Sequence, residues 1–426
     1  MSLITFICLL IFLTFFITGL KRNNNFLSPA RVYGLLWSFI IGLLDYKFSR
    51  LQFKWDAMDW FIILLGILAF LIGTYISYII NINKKFLPSS DIRSTIRSIV
   101  IDEKKLFNII LVGFAIWVIC FFSEWQIEGY LPIFTNKPDT ARIQFGVFGL
   151  HILVSSVNVI LFLILQYFIL VRRHRVKKTF LILFFIISMG NYVLIVQRYG
   201  LFLLIMMAFC LYYYSGKKIS GRTIIIFASL LLLTVIGIQS LRVSELIKAY
   251  IIYNSKIKFP MRYAELAIPY MYLSMNLENF ARFYSQVENH SFGFLSTEFI
   301  FHFFGTKYFI AEYFGFEKFK YFIGGYNTYP YFWPYYYDFG VLGLGLIPLG
   351  IGFIISEVYY FLHRNPSLTL LAVYSVAFSV LMVTFNSDPL TKTEMVLSYT
   401  LIIVLQLFIV KKDNDNDKVL IEEYNH

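Results

Sequence analysis

Apolar stretches near 20 residues long, the length an α-helix needs to cross a bilayer core, recur from the start of this chain to residue 410. A soluble domain needs more polar surface than 426 residues that are 58% hydrophobic and 15% charged, with a mean hydropathy of +0.69, supply. The expectation is an all-α, polytopic membrane protein with about eleven transmembrane helices. They fall at 2–20, 30–44, 60–80, 106–122, 147–171, 179–196, 200–214, 223–239, 339–362, 368–385 and 395–410, the second and seventh being short. The first run has no early Lys or Arg and ends in Lys21-Arg22, so it reads as a retained span rather than a cleaved signal. Cys8, Cys120 and Cys210 all lie within spans, as apolar fillers rather than a disulfide or metal set.

Short cytoplasmic loops collect Lys and Arg, which fixes an orientation. Lys21, Arg22 and Arg31 fall on one side with Lys84, Lys85, Arg93, Arg97, Lys104 and Lys105. The run from Arg172 to Lys178, then Lys217, Lys218, Arg222, Lys411 and Lys412, joins them. That side is expected to be the cytoplasm, with the N-terminus outside and the C-terminus inside; Lys47, Arg50 and Lys54 break the rule. The formal net charge of +12 is accounted for by these short runs beside apolar helices, so no nucleic-acid partner is expected. The chain divides into 1–240 (eight spans with short loops), 241–338 (one large external loop), 339–410 (three spans) and a solvated cytoplasmic tail, 411–426. Residues 87–105 form a polar linker with room for a short interfacial helix.

Four constellations face outward in this arrangement. The first runs from Glu124 through Glu128, Gly129, Tyr130, Leu131, Pro132, Ile133 and Phe134 to Asp139, Arg142 and Phe145, where Gly129 and Pro132 break the helix. It equally fits a solvated loop with interfacial aromatics. The second is Gln197-Arg198-Tyr199-Gly200, a hairpin so tight that Arg198 stands at the mouth between two apolar helices. There a guanidinium either snorkels to the interface or binds an anion, and its planar fork suits phosphate bidentately. Third come Arg242, Lys248, Lys256, Lys258 and Arg262, which can hold a pyrophosphate or pair with Glu245 and Glu265. The fourth is the run from Gly325 to Gly340, dense in Tyr and Trp, in which Asn327 and Asp338 are not explained by an aromatic belt alone.

An acidic residue with Gly-Tyr-Leu-Pro-Ile-Phe before a downstream Arg, an Arg in a tight outer hairpin, a long external loop, then Asn-x-Tyr and Tyr-x-Asp-Phe-Gly-x-x-Gly at the next helix form a familiar series. It resembles the O-antigen and capsular polysaccharide repeat-unit polymerases of the Wzy type, over most of the chain in layout but on short motifs. The resemblance implies a fold like the GT-C type membrane glycosyltransferases, in the bacterial cytoplasmic membrane. It implies transfer of a growing glycan from undecaprenyl pyrophosphate to the non-reducing sugar of another lipid-linked repeat unit, on the outer face. No cofactor and no metal are implied. The partners implied are the undecaprenyl-pyrophosphate-linked oligosaccharide, membrane lipids, a chain-length regulator and the flippase of the same pathway.

Such chemistry needs fixed cations on a diphosphate leaving group and a base for the acceptor hydroxyl. Arg198 and Arg242 are the first candidates for the diphosphate, with Arg142 and Arg262 behind them. Asp338, Glu124, Glu128 and His290 are candidate bases, with His302 and His151 weaker. Asn327, Tyr329 and Tyr336 are candidates for orienting a sugar or phosphate. An O-antigen ligase shares the arginines and large loop, and a lipid-linked-oligosaccharide flippase shares the basic path. A flippase, however, usually shows internal repeats and broken midplane helices, whereas the polar groups here collect at the outer end. Metal-dependent lipid-phosphate-sugar transferases place acids in a first large external loop that this chain lacks.

Overall fold

The computed structural model describes residues 2–20, 26–171, 175–216, 226, 227, 229, 249, 252–316, 323, 326 and 328–411. The described residues are helical, their only β-pairing being the isolated bridges Ser49 to Ile257 and Ile101 to Val410. The helices are α1 (Leu3–Leu20), α2 (Pro29–Asp45), α3 (Ala57–Asn81), α4 (Ser89–Ser98), α5 (Glu103–Glu128), α6 (Pro138–Gln144), α7 (Leu150–Ser155) and α8 (Val157–Leu170). They continue as α9 (Arg175–Leu194), α10 (Tyr199–Ser215), α11 (Ala267–Phe283), α12 (Glu298–Phe303), α13 (Lys307–Tyr313), α14 (Trp333–Arg364), α15 (Leu368–Val383) and α16 (Thr393–Ile409). Five helical segments, Ala57–Asn81, Glu103–Phe134, Leu150–Leu170, Val176–Leu194 and Trp333–Arg364, are long and apolar enough to cross a membrane. Shorter apolar helices accompany them at Leu3–Gly19, Tyr199–Ser215, Leu368–Val383 and Thr393–Ile409.

Caps explain where several helices begin. Asp56 accepts from the Asp59 amide at 2.8 Å while Asp59 accepts from the Asp56 amide at 2.9 Å, a reciprocal capping box that starts α3. Asp102 caps α5 through the Lys105 amide, and Ser367 caps α15 through that of Leu370. α3 and α14 pack most closely, because a Cβ at Gly73 would overlap the Leu349 carbonyl and one at Gly352 that of Phe70. Without side chains at those two points the backbones approach directly, as apolar helices in lipid require when they have little else to drive association.

Helix ends gather at two poles. At the first, Arg93 and Arg97 donate from α4 to the Tyr213 and Ser215 carbonyls that end α10, at 3.0 and 2.8 Å. Both satisfy acceptors the helix leaves open, at the negative end of its dipole. Lys177 pairs with Glu103 at 3.0 Å, and the Leu87 amide donates to the His363 carbonyl at this pole. α4 turns its apolar stripe, Ile92 and Ile96, into the bundle core. The linker helix is therefore packed against α10 rather than laid on an interface by that face.

At the second pole lie Asp45, Asp59, Glu124, Arg198, Asp388 and the tyrosine-rich lobe. Tyr284 donates to Asp59 at 2.9 Å, and the Tyr331 amide donates to the Thr384 carbonyl at 2.8 Å. The out-of-pattern cations Lys47, Arg50 and Lys54 belong to this pole, in a turn stitched to 256–258 by Arg50 N to Lys256 O at 3.0 Å and Lys258 N to Phe48 O at 2.7 Å. The expected boundary at 338/339 falls inside α14, at a kink where Gly340 has φ 62° and ψ −145°.

Candidate functional site

The second pole brings separate stretches of sequence together. Arg198 precedes α10 and lays its guanidinium 4.5 Å from the centre of the Tyr272 ring, on α11. Its neighbour Tyr199 donates to, or accepts from, Ser387 at 2.8 Å. The Lys392 ammonium stands over the same Tyr199 ring at 4.1 Å. Burial lowers the Lys392 pKa; Glu394, Asp388 and Glu298 counter that, and the positive charge of Arg142 adds to it. Cations from the α5–α7 connection, the α9–α10 hairpin and the α15–α16 loop thus share one neighbourhood.

The α15–α16 loop was not among the outward constellations of the sequence, because its charges are sparse and lie between two apolar helices. It is nonetheless built tightly. Asp388 is buried, accepts from the Tyr335 hydroxyl, and caps the 3-10 turn Pro389–Thr391 through the Leu390 amide at 2.9 Å. Burial pushes its carboxyl up to about 6, partly offset by the Tyr335 and Leu390 donors and by Lys392. Thr393 holds His302 at 2.9 Å, and the His302 ring meets Phe148, so the lobe docks on both connections.

Glu124 is fully buried and accepts from the Val147 amide at 3.0 Å and from His151 Nδ1 at 3.1 Å. Glu128 accepts from the Gly146 amide at 3.2 Å. Both carboxylates of the first constellation therefore fold the loop that follows them back onto α5. Arg142 sits on α6 with Asp139 at 3.8 Å.

The lobe carries a half-open cavity of about 1250 Å³ lined by Glu288, Asn289, His290, Ser296, Thr297 and several Phe side chains. His290 donates or accepts through Nδ1 at the Tyr337 carbonyl, 3.0 Å away, and its Nε2 lies where a Cβ on Gly340 would stand at 3.0 Å. Of the candidate bases in the lobe, His290 is the one that faces open space.

Asp338 does not. It is fully buried and accepts from the Ser291 hydroxyl, the Leu295 amide at 3.1 Å, the Ser296 amide at 2.7 Å and the Ser296 hydroxyl at 2.6 Å. Four donors on two oxygens make it the anchor of the 291–296 turn and leave it no room to take a proton from a sugar. Tyr329 is 2% exposed and packed between Phe283 and Trp333, which removes it as a sugar contact. Tyr336 is half-buried and spends its hydroxyl on the Tyr284 carbonyl at 3.3 Å. Arg262 is exposed and stacks on Tyr263 at 4.7 Å. Arg242 and Asn327 lie outside the described residues, as does most of the eighth predicted span.

The lobe holds a further buried carboxylate. Glu278 on α11 is fully buried with neither oxygen in a completed hydrogen bond. Burial pushes it up to about 7, against the weaker pull of Trp55, the Phe53 amide, Arg282 and Lys47. A lone Glu among Asn276, Leu277 and Asn279 carries no sequence signal of this. No family model, no curated protein and no solved structure matches this chain.

Proposed function

We propose that this chain is a glycosyltransferase that polymerises lipid-linked oligosaccharide repeat units, of the kind the Wzy-type resemblance implies. The growing glycan leaves undecaprenyl pyrophosphate and joins the non-reducing sugar of a second lipid-linked unit. In this reading the second pole faces away from the cytoplasm of a bacterial inner membrane, with the N-terminus outside. The observation that supports it most is the convergence of Arg142, Lys392 and the Arg198–Tyr199 hairpin beside an aromatic lobe.

Departure of a diphosphate places negative charge on its bridging oxygen, and preorganised cations in a partly desolvated site stabilise that charge more than they stabilise the ground state. Arg198 and Lys392 each lie against an aromatic face, which helps to fix their position. The acceptor and donor arrive on lipid carriers in one plane, so much of the acceleration comes from alignment.

Deleting the chain from its host and analysing the surface glycan tests this reading. Single repeat units in place of long chains are expected. Finished polymer stranded on the lipid carrier would instead indicate a ligase, and repeat units trapped on the cytoplasmic leaflet a flippase. Sidedness is tested by Tyr308→Cys, at a position 77% exposed on α13 in a chain whose own described cysteines are buried. A membrane-impermeant maleimide should label it in intact cells, and labelling only after lysis would contradict the orientation.

A further inference from the structure

Glu124, His151 and Ser155 form a connected series at the second pole, contributed by α5 and α7. Glu124 Oε1 lies 3.1 Å from His151 Nδ1, and His151 Nε2 lies 3.0 Å from the Ser155 hydroxyl. A carboxylate can only accept, so Nδ1 carries the ring proton and Nε2 presents a lone pair. In the structure the buried Ser155 hydroxyl lies on that lone pair, so it must turn away before an incoming hydroxyl can donate there. Ser155 is 3% exposed, whereas the His151 side chain keeps 32% of its surface open and Glu124 keeps none. An orienting carboxylate buried behind a partly open imidazole is the arrangement a general base requires.

The pair is joined to the cation cluster by a short connection. Phe145, the residue that ends α6, sets its ring 6.3 Å from that of His151, and Arg142 lies one turn earlier on the same helix. Gly146 closes against the imidazole, where a Cβ would stand 3.0 Å from Cγ, and the Val147 amide secures Glu124 at 3.0 Å. α7 also packs on α16, whose first residues follow Lys392.

We propose that His151 is the base that activates the acceptor sugar, with Glu124 as its positioning residue; this rests on the polymerase reading above. The acceptor O–H bond breaks and its proton passes to His151 Nε2. The acceptor oxygen forms the new bond to the donor's anomeric carbon as the bond from that carbon to the diphosphate oxygen breaks, and the diphosphate leaves with the electron pair. The imidazolium, held against Glu124, then releases its proton to solvent or to the departing diphosphate.

The test uses the full chain in membranes of a host lacking its own copy, supplied with the diphosphate-linked repeat units that host accumulates. His151→Asn keeps a donor toward Glu124 but has no basic nitrogen at the Nε2 position. It is expected to lower kcat at least about a hundredfold while KM for the repeat unit stays within about twofold and the chain accumulates normally. Glu124→Gln keeps a partner for Nδ1 and withdraws only the charge, and should lower kcat about tenfold or more, again with KM unchanged. His151→Asn within about threefold of the wild-type kcat would overturn the assignment, as would a Glu124→Gln chain that folds and turns over normally. A wild-type chain that restores no polymer would defeat the polymerase reading and this assignment with it, whereas an active His151→Asn defeats the assignment alone.

Discussion

The Lys392 ammonium rests 4.1 Å from the centre of the Tyr199 ring, so the residue that opens α16 is locked to the residue that opens α10. Tyr199 is locked in turn to Ser387 at 2.8 Å. Two connections that are distant in sequence thus meet at one edge, where a cation is set against an aromatic ring. Lys392→Gln should therefore keep the fold and lower polymer formation by about tenfold to a hundredfold, read as the rate of glycan extension in isolated membranes. Unchanged extension would remove Lys392 from the site.

Arg198 is expected to be needed for its shape as well as its charge. Arg198→Ala and Arg242→Ala should each abolish long polymer while the chain still accumulates in the membrane. Arg198→Lys should also fail, because an ammonium cannot make two parallel hydrogen bonds to a phosphate or stack on the Tyr272 ring as a planar guanidinium does. Glycan length profiles with quantified chain levels decide this, and full rescue by Lys would reduce the requirement to charge.

Asp338 separates a structural role from a chemical one. Asp338→Asn replaces one of its two accepting oxygens by a donor that faces the Ser291 and Ser296 groups. The expected loss is about 2–4 kcal/mol of stability in the purified chain, measured by thermal unfolding in detergent. A variant that melts like the wild type but does not extend glycan would restore Asp338 as a proton acceptor.

Glu278 makes a pH prediction with a definite sign. Its carboxyl is raised from 4.5 to about 7 by burial, so between those values the folded chain holds a proton that the unfolded chain has released. The contribution of Glu278 to stability is then expected to fall as pH rises through that window, by at most roughly 3 kcal/mol, and to level off above it. Glu278→Gln should flatten this part of the unfolding profile and make the chain more stable than wild type at pH 8. Identical pH profiles for the two chains would show that Glu278 is solvated.

Much of the helical layout was legible because lipid leaves few options: apolar runs of sufficient length and few charges mark it. Each predicted interval except 223–239, most of which is outside the described residues, contains a described helix. Ends were less legible. α14 begins at Trp333 rather than at 339, because Trp333 and Pro334 open a helical turn before the bend at Gly340. The interval 147–171 holds two helices that meet at Ser156. Among the candidate site residues, composition singled out Glu124 and Arg198 but could not tell that Glu124 stands behind His151, or that Asp338 is saturated by 291–296. Lys392 escaped notice because its neighbours Tyr199 and Arg142 are supplied by folding and not by adjacency.

The most direct test of the account is transfer by the chain alone. The purified protein in liposomes is given diphosphate-linked repeat units, with a chelator present and no nucleotide sugar. Long lipid-linked glycan and one undecaprenyl diphosphate released for each new bond are expected. Repeat units that remain single, or that merely cross the bilayer unchanged, would contradict it.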